Sequence, residues 1–133
     1  MKEVMAVIRA NKIGDTKQAL VNEGFPAFNA VKVLGRGRQA IEAEVIDALN
    51  QHPDDANEVL PLLARCPRLI PKRLVSVVVP DEQVRQVVNT ITRVNQTGNP
   101  GDGKIFVVPV TDSIRIRTAE SGNVAVDEMT GVL

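Results

Sequence analysis

The sequence is poor in aromatic residues, has one cysteine and carries no excess charge. Its 133 residues include three phenylalanines but no tryptophan or tyrosine, so it lacks the aromatic platform on which single-stranded nucleic acids stack. The 16 basic and 16 acidic residues cancel, which excludes a global field that attracts nucleic acid or an anionic membrane. Because Cys66 stands alone, an internal disulfide and a cysteine-based metal cluster within one chain are also excluded.

Long apolar runs are absent as well. No stretch approaches the roughly 18 apolar residues of a membrane span, and the N-terminus lacks the basic-then-apolar pattern of a signal peptide. We therefore expect a cytoplasmic protein. The length predicts one domain over residues 1–133, with a core of Val, Ile, Leu and Ala.

What the sequence does contain is an alternation of short β-prone segments with helical ones. The predicted strands are residues 2–9, 29–34, 74–79 and 104–108, with an alternating edge strand at 113–118. The first predicted helix covers residues 13–23. The second follows an N-cap at Asp81 and carries an apolar stripe formed by Val84, Val87, Val88, Ile91 and Val94. This order predicts an α+β, ferredoxin-like split βαβ fold (βαββαβ) with both helices on one sheet face. The other face, apolar too, is expected to pack against other subunits.

A long connection, residues 35–72, separates the second strand from the third. Its mixed apolar and charged composition is typical of a functional segment that orders on binding a partner. It contains no Tyr, Ser or Thr. Neither His52, a solvated residue before Pro53, nor Cys66, which lacks an activating histidine, is assigned a catalytic role.

The turn between the second helix and the fourth strand is rich in glycine. Gly101, Asp102, Gly103 and Lys104 form a segment whose backbone N–H groups can converge on an anion, beside a lysine charge. A tight helix-to-strand turn is the alternative explanation. The segment is not a Walker loop, because the spacing differs and a strand follows it instead of a helix.

Three further features suit an anionic ligand. They are the run Gly35-Arg36-Gly37-Arg38-Gln39 at the end of the second strand, Lys72 before the third, and the pair Arg115 and Arg117 on one face of the edge strand. Each has an ordinary alternative: a flexible turn, a surface lysine, and a basic edge that deters strand pairing. None is specific alone.

Taken together, these residues closely resemble the P-II nitrogen regulatory proteins. The resemblance covers nearly everything outside residues 35–72. Its motifs are Met1–Arg9, Gly24, Gly35-x-Gly-Arg-Gln39, Pro71-Lys72, Thr97-Gly98, Gly101–Val107 and Ile114–Thr118.

The resemblance implies a trimer of ferredoxin-like subunits that binds ATP or ADP in the clefts between subunits, often with 2-oxoglutarate. Residues that would contact the nucleotide are Gly35, Gly37, Arg38, Val78, Gly101, Asp102, Gly103 and Lys104, with Arg115 and Arg117 reaching it from the neighbouring subunit. Gln39 would bind 2-oxoglutarate and a magnesium ion, and Lys72 would neutralise the oxoacid.

Residues 35–72 then correspond to an extended T-loop, the segment that contacts targets, and residues 120–133 to a C-terminal tail. Without a hydroxyl, the loop cannot be uridylylated or phosphorylated, so signalling would depend on ligands. Asn29, where many members carry threonine, and Thr118-Ala119-Glu120, which replaces Thr-Gly-Glu, bear on nucleotide preference.

The longer loop, Phe25-Pro-Ala-Phe28, Arg68–Leu74 and Val94–Pro100 resemble the P-II-like pair encoded among nitrogen-fixation genes. That branch implies a non-enzymatic regulator, a homotrimer or a hetero-oligomer with a paralogue, that inhibits the dinitrogenase component of nitrogenase when nitrogen is replete. The alternatives are a regulator of an ammonium transporter or of another nitrogen-assimilation enzyme, a nucleotide-hydrolysing enzyme, and a purely structural assembly subunit.

Overall fold

A computed structural model describes residues 1–36 and 69–126 of the chain. The elements in that part are β1 (Lys2–Arg9), α1 (Ile13–Asn22), β2 (Asn29–Gly35), β3 (Ile70–Val79), α2 (Val84–Asn95), β4 (Lys104–Pro109) and the short α3 (Asn123–Val126). The four strands form one antiparallel sheet in the order β2-β3-β1-β4. This is the ferredoxin-like arrangement, so the predicted fold class is confirmed.

The core lies between the helices and one face of the sheet. Alternation along β1 buries Val4, Ala6 and Ile8, and the antiparallel register places Val75, Val77 and Val79 of β3 on the same face. Leu20 of α1 and two residues of the predicted α2 stripe, Val87 and Ile91, are also buried in this cluster. The helices therefore cover a single face of the sheet.

Polar side chains join the two helices. The Asn95 amide nitrogen donates to the Thr16 hydroxyl at 3.0 Å, and the Thr16 hydroxyl donates to the Lys12 carbonyl at 2.7 Å. Both residues are at least nine-tenths buried, although the apolar stripe alone does not predict a polar residue there. The Asn95 amide nitrogen and the Thr16 hydroxyl are thus hydrogen-bonded at the crossing of α1 and α2, whereas the Asn95 Oδ1 is buried without a partner among the described residues.

Two predictions of local structure are wrong. Asp81 does not cap α2 but lies in a short 3-10 turn before it, where its carboxylate pairs with the Met1 amino group at 3.1 Å and Lys2 Nζ at 3.3 Å. The edge strand at 113–118 is replaced by a turn. The Arg115 amide donates to the Glu120 carbonyl, and the Ala119 amide donates to the Arg115 carbonyl. These local bonds occupy the backbone groups that a ladder needs.

The sheet face opposite the helices carries apolar side chains. By register, it includes Met5 and Val7 of β1, Val31 of β2, and Phe106 and Val108 of β4. Val31, Phe106 and Val108 are between 39% and 53% exposed in the single chain. Contact between this face and other subunits stays a prediction.

No helix in residues 1–36 or 69–126 is long and apolar enough to cross a membrane.

Candidate functional site

The glycine-rich segment is organised around the Asp102 carboxylate. Its Oδ2 accepts hydrogen bonds from the backbone amides of Thr97 at 2.8 Å and Gly98 at 2.9 Å, and its Oδ1 accepts from the Thr97 hydroxyl. An aspartate that accepts from several donors in its own turn fixes the backbone around it. Asp102 therefore shapes the turn that places Gly101, Gly103 and Lys104.

Arg9, to which the sequence alone assigns no role, provides a second partner for this carboxylate. One of its terminal nitrogens donates to Asp102 Oδ1 at 2.6 Å, and the other donates to the Pro100 carbonyl at 3.2 Å. Arg9 and Asp102 side chains are only 22% and 23% exposed. The contact anchors the turn to the last residue of β1. Its sequence signal is slight: a basic residue that ends a buried strand.

Lys72 reaches the same turn from β3. Its ammonium group donates to the Gly101 carbonyl at 3.3 Å, and in the sheet register Lys72 lies opposite Arg9. Gly35 is close as well, because a Cβ at that position would lie 3.8 Å from Lys72 Cγ. The predicted site residues Gly35, Lys72 and Gly101–Lys104 thus come together with Arg9, and we call this group the loop-end cluster.

The charges of the loop-end cluster favour an anion. Arg9, Lys72 and Lys104 oppose the negative charge of Asp102, whose oxygens already accept from Arg9 and Thr97. Backbone N–H groups in a glycine-rich turn add partial positive charge. A neutral chain thereby concentrates positive charge at one end of its sheet. Such a site suits phosphate or carboxylate groups and offers little to a bare metal cation.

Gly103 is pressed against β1. Its φ of +113° lies in the left-handed region, and a Cβ added there would stand 2.0 Å from the Val7 carbonyl oxygen. No real side chain tolerates that distance, so only glycine allows β4 to begin here. The close approach fixes where Lys104 enters the sheet, opposite Val7.

Three predicted nucleotide residues, Val78, Arg115 and Arg117, lie away from the loop-end cluster. Val78 pairs with Glu3, whereas Lys72 pairs with Arg9, so the two positions are separated by about 20 Å along the sheet at roughly 3.3 Å per residue. Val78 lines a pocket of about 320 Å³ with Asn29 and Ser113. Arg115 and Arg117 belong to the turn that follows Ser113, and with Val78 they form what we call the turn-end cluster.

Arg115 is held within its own chain. Its guanidinium donates to Glu120 Oε1 and to the Val124 carbonyl, both at 3.1 Å, and its side chain is 13% exposed. Ala119, between these residues, has a φ of +60°. That left-handed conformation explains why glycine suits this position in the family pattern, and alanine adopts it at some energetic cost. The turn keeps the backbone that Thr-Gly-Glu would favour.

Three predicted residues, Gly37, Arg38 and Gln39, lie outside the described part of the chain, and with them most of the predicted T-loop. The predicted magnesium ligand is therefore not among the described residues. The described residues nearest in sequence are Gly35, which ends β2 beside Lys72, and Arg36, which follows it. The roles of all three residues stay predictions.

Asp102 should remain ionised well below pH 4. The Thr97 hydroxyl and amide, together with Arg9 and the Gly98 amide, hold the pKa of Asp102 well below its ordinary value of 3.8. Stability that depends on the ionised carboxylate is therefore fully present above that ordinary value and disappears only as pH falls through the lower folded pKa. In NMR titrations, the Thr97 and Gly98 amide shifts should stay constant down to about pH 3.

The matched variant for this titration is Asp102→Asn. It should move both amide resonances already at neutral pH, because the neutral amide is a weaker acceptor than the carboxylate. An inflection of the Thr97 and Gly98 resonances near the ordinary aspartate pKa in the unsubstituted protein would contradict the arrangement described here.

Comparison with known proteins bears on this architecture. A family model described as nitrogen regulatory protein P-II matches residues 1–120. A nitrogen fixation nifHD region GlnB-like protein 2 of Methanobacterium ivanovii is 50% identical over 127 residues, covering 95% of this chain and 99% of the relative. The nifHD1 region GlnB-like protein 2 of Methanosarcina barkeri is 47% identical over 130 residues, covering 94% and 98%.

A GlnB-like protein 1 is more distant: that of Methanothermococcus thermolithotrophicus is 34% identical over 122 residues, covering 92% of this chain and 99% of the relative. Among solved structures, Arabidopsis thaliana PII bound to citrate superposes with a TM-score of 0.68 and 30% identity. The superposition covers 99% of this chain and 94% of the plant chain.

Proposed function

Because the chain belongs to the nitrogen regulatory P-II family, within its nitrogen-fixation branch, we propose that it senses ATP or ADP together with 2-oxoglutarate. The observation that carries the proposal is the loop-end cluster, where a glycine-rich turn and three basic side chains converge in a neutral protein. The response is passed to a target protein, and no chemical conversion of the ligands is required.

The nucleotide would lie between two chains. Gly101, Gly103 and Lys104 would hold its phosphates through N–H groups and an ammonium charge, while Asp102 keeps their turn in shape. Val78, Arg115 and Arg117 would come from a neighbouring copy. The separation of the two clusters within one chain supports this division, because a nucleotide that contacts both then needs a second subunit.

The oxoacid would bind at the same end of the sheet. Lys72, already beside Gly101, supplies a positive charge for a carboxylate, and the Gln39 side-chain amide N–H would donate to the oxoacid. A relative of the same fold is a plant PII bound to citrate, which is also a polycarboxylate. A magnesium ion would arrive with the ATP phosphates and be held with Gln39, since Asp102 already accepts from Arg9. When bound, it would neutralise phosphate charge.

The target would be the dinitrogenase component of nitrogenase, inhibited when nitrogen is replete. Support comes from relatives named for a nitrogen-fixation region. The T-loop would contact the target, and its two ends leave the sheet at Gly35 and Ile70, beside Lys72. Ligand binding at this point would change which loop conformations are populated, and so the affinity for the target.

Replacing Gln39 with alanine should abolish 2-oxoglutarate binding in the presence of ATP and magnesium while leaving the oligomer intact. The physical reason is the loss of the proposed amide contact to the oxoacid and the metal. Isothermal calorimetry measures binding, and analytical ultracentrifugation measures assembly. Gln18→Ala on the outer face of α1 is the matched control. Unchanged binding of 2-oxoglutarate to the Gln39 variant would refute this mechanism.

Co-purification tests the target. We expect the intact chain, but not a variant without residues 40–69, to retain the dinitrogenase component, and ATP with 2-oxoglutarate to release it. If an ammonium transporter or another nitrogen-assimilation enzyme were retained instead, that protein would be the target.

The alternative of an enzyme has its own test. Sustained ATP turnover that is lost in Lys104→Ala would indicate a nucleotide-hydrolysing enzyme. Asp102 is poorly suited as the base of such an enzyme, because its oxygens accept from Thr97, Gly98 and Arg9.

A further inference from the structure

The guanidinium of Arg115 is fixed by two acceptors from the C-terminal part of the chain. Glu120 Oε1 and the Val124 carbonyl each accept one of its terminal nitrogens at 3.1 Å. The Arg115 side chain is 13% exposed and the Glu120 side chain 36%, so solvent screens the pair mainly on the Glu120 side. An arginine side chain has several rotatable bonds, and two acceptors on different segments restrict most of them.

The backbone around Glu120 is equally constrained. Its carbonyl accepts from the Arg115 amide at 2.8 Å, and its own amide donates to the Thr118 hydroxyl at 3.3 Å. A bridge between Ile114 and Ser121 closes the turn. The Thr118 hydroxyl and the Arg115 charge lower the pKa of Glu120, so the carboxylate is ionised at neutral pH. Arg115 and Glu120 therefore form one rigid unit.

We propose that Glu120 is a positioning residue for the nucleotide site: it holds the Arg115 guanidinium in the orientation that receives phosphate from a neighbouring subunit. The inference rests on the proposed function, because it requires Arg115 to contact the nucleotide. Glu120 and Val124 each accept a hydrogen bond from the Arg115 guanidinium, and these two contacts restrict the plane of the group. The guanidinium stays positively charged in these contacts, and this charge would attract the phosphate.

Preorganisation explains why a carboxylate beside the arginine helps anion binding. A mobile guanidinium would lose rotational freedom when it meets the phosphate, and that loss would weaken binding. The contact with Glu120 orders the Arg115 guanidinium when the chain folds, so this loss does not occur when the nucleotide binds. Glu120 attracts no phosphate itself, so its contribution is transmitted only through Arg115. Removal of Glu120 should therefore affect ligands in proportion to their contact with Arg115.

The test is titration of ATP and AMP into the full chain and its variants by calorimetry. Glu120→Ala should weaken ATP binding about tenfold and AMP binding much less, because the missing contact is to the phosphates that AMP lacks. Glu120→Gln keeps an acceptor for Arg115 and should restore most of the affinity. Glu23→Ala is the matched control. Glu23 is also 36% exposed and pairs with an arginine, but it lies at the end of α1 and its partner is Arg93 of α2.

The outcomes separate the inference from the function on which it rests. If the unsubstituted protein binds no ATP, the proposed function is wrong. If it binds ATP but Glu120→Ala binds ATP unchanged or more tightly, the positioning role is wrong. Equal weakening of ATP and AMP would also contradict it, because general damage to the fold acts on both ligands. Should Glu120→Ala fail to fold, Glu120→Asp, which withdraws the carboxylate from Arg115, should still weaken ATP selectively.

Discussion

Replacing Gly103 with alanine should lower the free energy of unfolding by about 4 kcal/mol, at the upper end of single-residue effects. The new Cβ would stand 2.0 Å from the Val7 carbonyl oxygen, and this neighbour is backbone that cannot rotate away. The first pairs between β4 and β1 must open, and the φ of +113° is strained for alanine as well. Chemical denaturation followed by circular dichroism measures the loss.

Gly98→Ala is the control for this prediction. Gly98 also has a positive φ, of +84°, but a Cβ there meets nothing within 4 Å. Only the conformational strain remains, which amounts to about 1 kcal/mol. If the two alanine variants were equally stable, the tight approach of Gly103 to β1 would be wrong. The pair thus separates backbone strain from steric overlap within one turn.

Mixing two inactive variants should restore nucleotide binding. Lys104→Ala removes a loop-end charge and Arg115→Ala removes a turn-end charge, and we expect each alone to weaken ATP binding by about 30- to 100-fold. If each cleft of a trimer takes one cluster from each of two neighbours, every mixed trimer contains a cleft with neither substitution. After random exchange of equal amounts, about a quarter of the clefts should bind ATP normally.

The control is the double variant, with Lys104→Ala and Arg115→Ala in one chain, mixed with itself. It should show no recovery, because every cleft then lacks both groups. The number of high-affinity sites, measured by calorimetry after partial unfolding and refolding of the mixture, is the readout. No recovery in the mixture of single variants would contradict a site shared between subunits, provided that mass spectrometry shows mixed oligomers.

Alternation of side chains made the sheet predictable. Every second residue is buried over residues 4–8 of β1 and 75–79 of β3, and a slip of one residue would move Val4 and Val77 to opposite faces. Residues 113–118 show the same alternation of polar and apolar residues but form no strand. Their backbone groups bond instead to residues that follow directly in the chain, as Arg115 does to Ala119 and Glu120. The position of Asp81 alone predicts a cap, whereas its contacts are set by the Met1 amino group and by Lys2, the first residue of β1.

The site was predictable only where its chemistry lies in one segment. Gly101–Lys104 has a recognisable composition, and its turn was predicted correctly. Arg9 contacts Asp102 across 93 residues, so its role depends on strand order and register, which composition does not contain. The same holds for Glu120, whose acidic side chain has no obvious partner until the turn brings Arg115 beside it.

The pairing of Gly35 with Ile70 has a consequence for the evolution of this regulator. The 34 residues between them, 36–69, begin and end at adjacent positions of one ladder. Sheet pairing fixes the distance between these positions whatever the length of the intervening chain, and each doubling of that length adds only about 0.6 kcal/mol of closure entropy. An effector arm can therefore be lengthened or rewritten for a new target while the ligand-sensing end of the sheet stays unchanged.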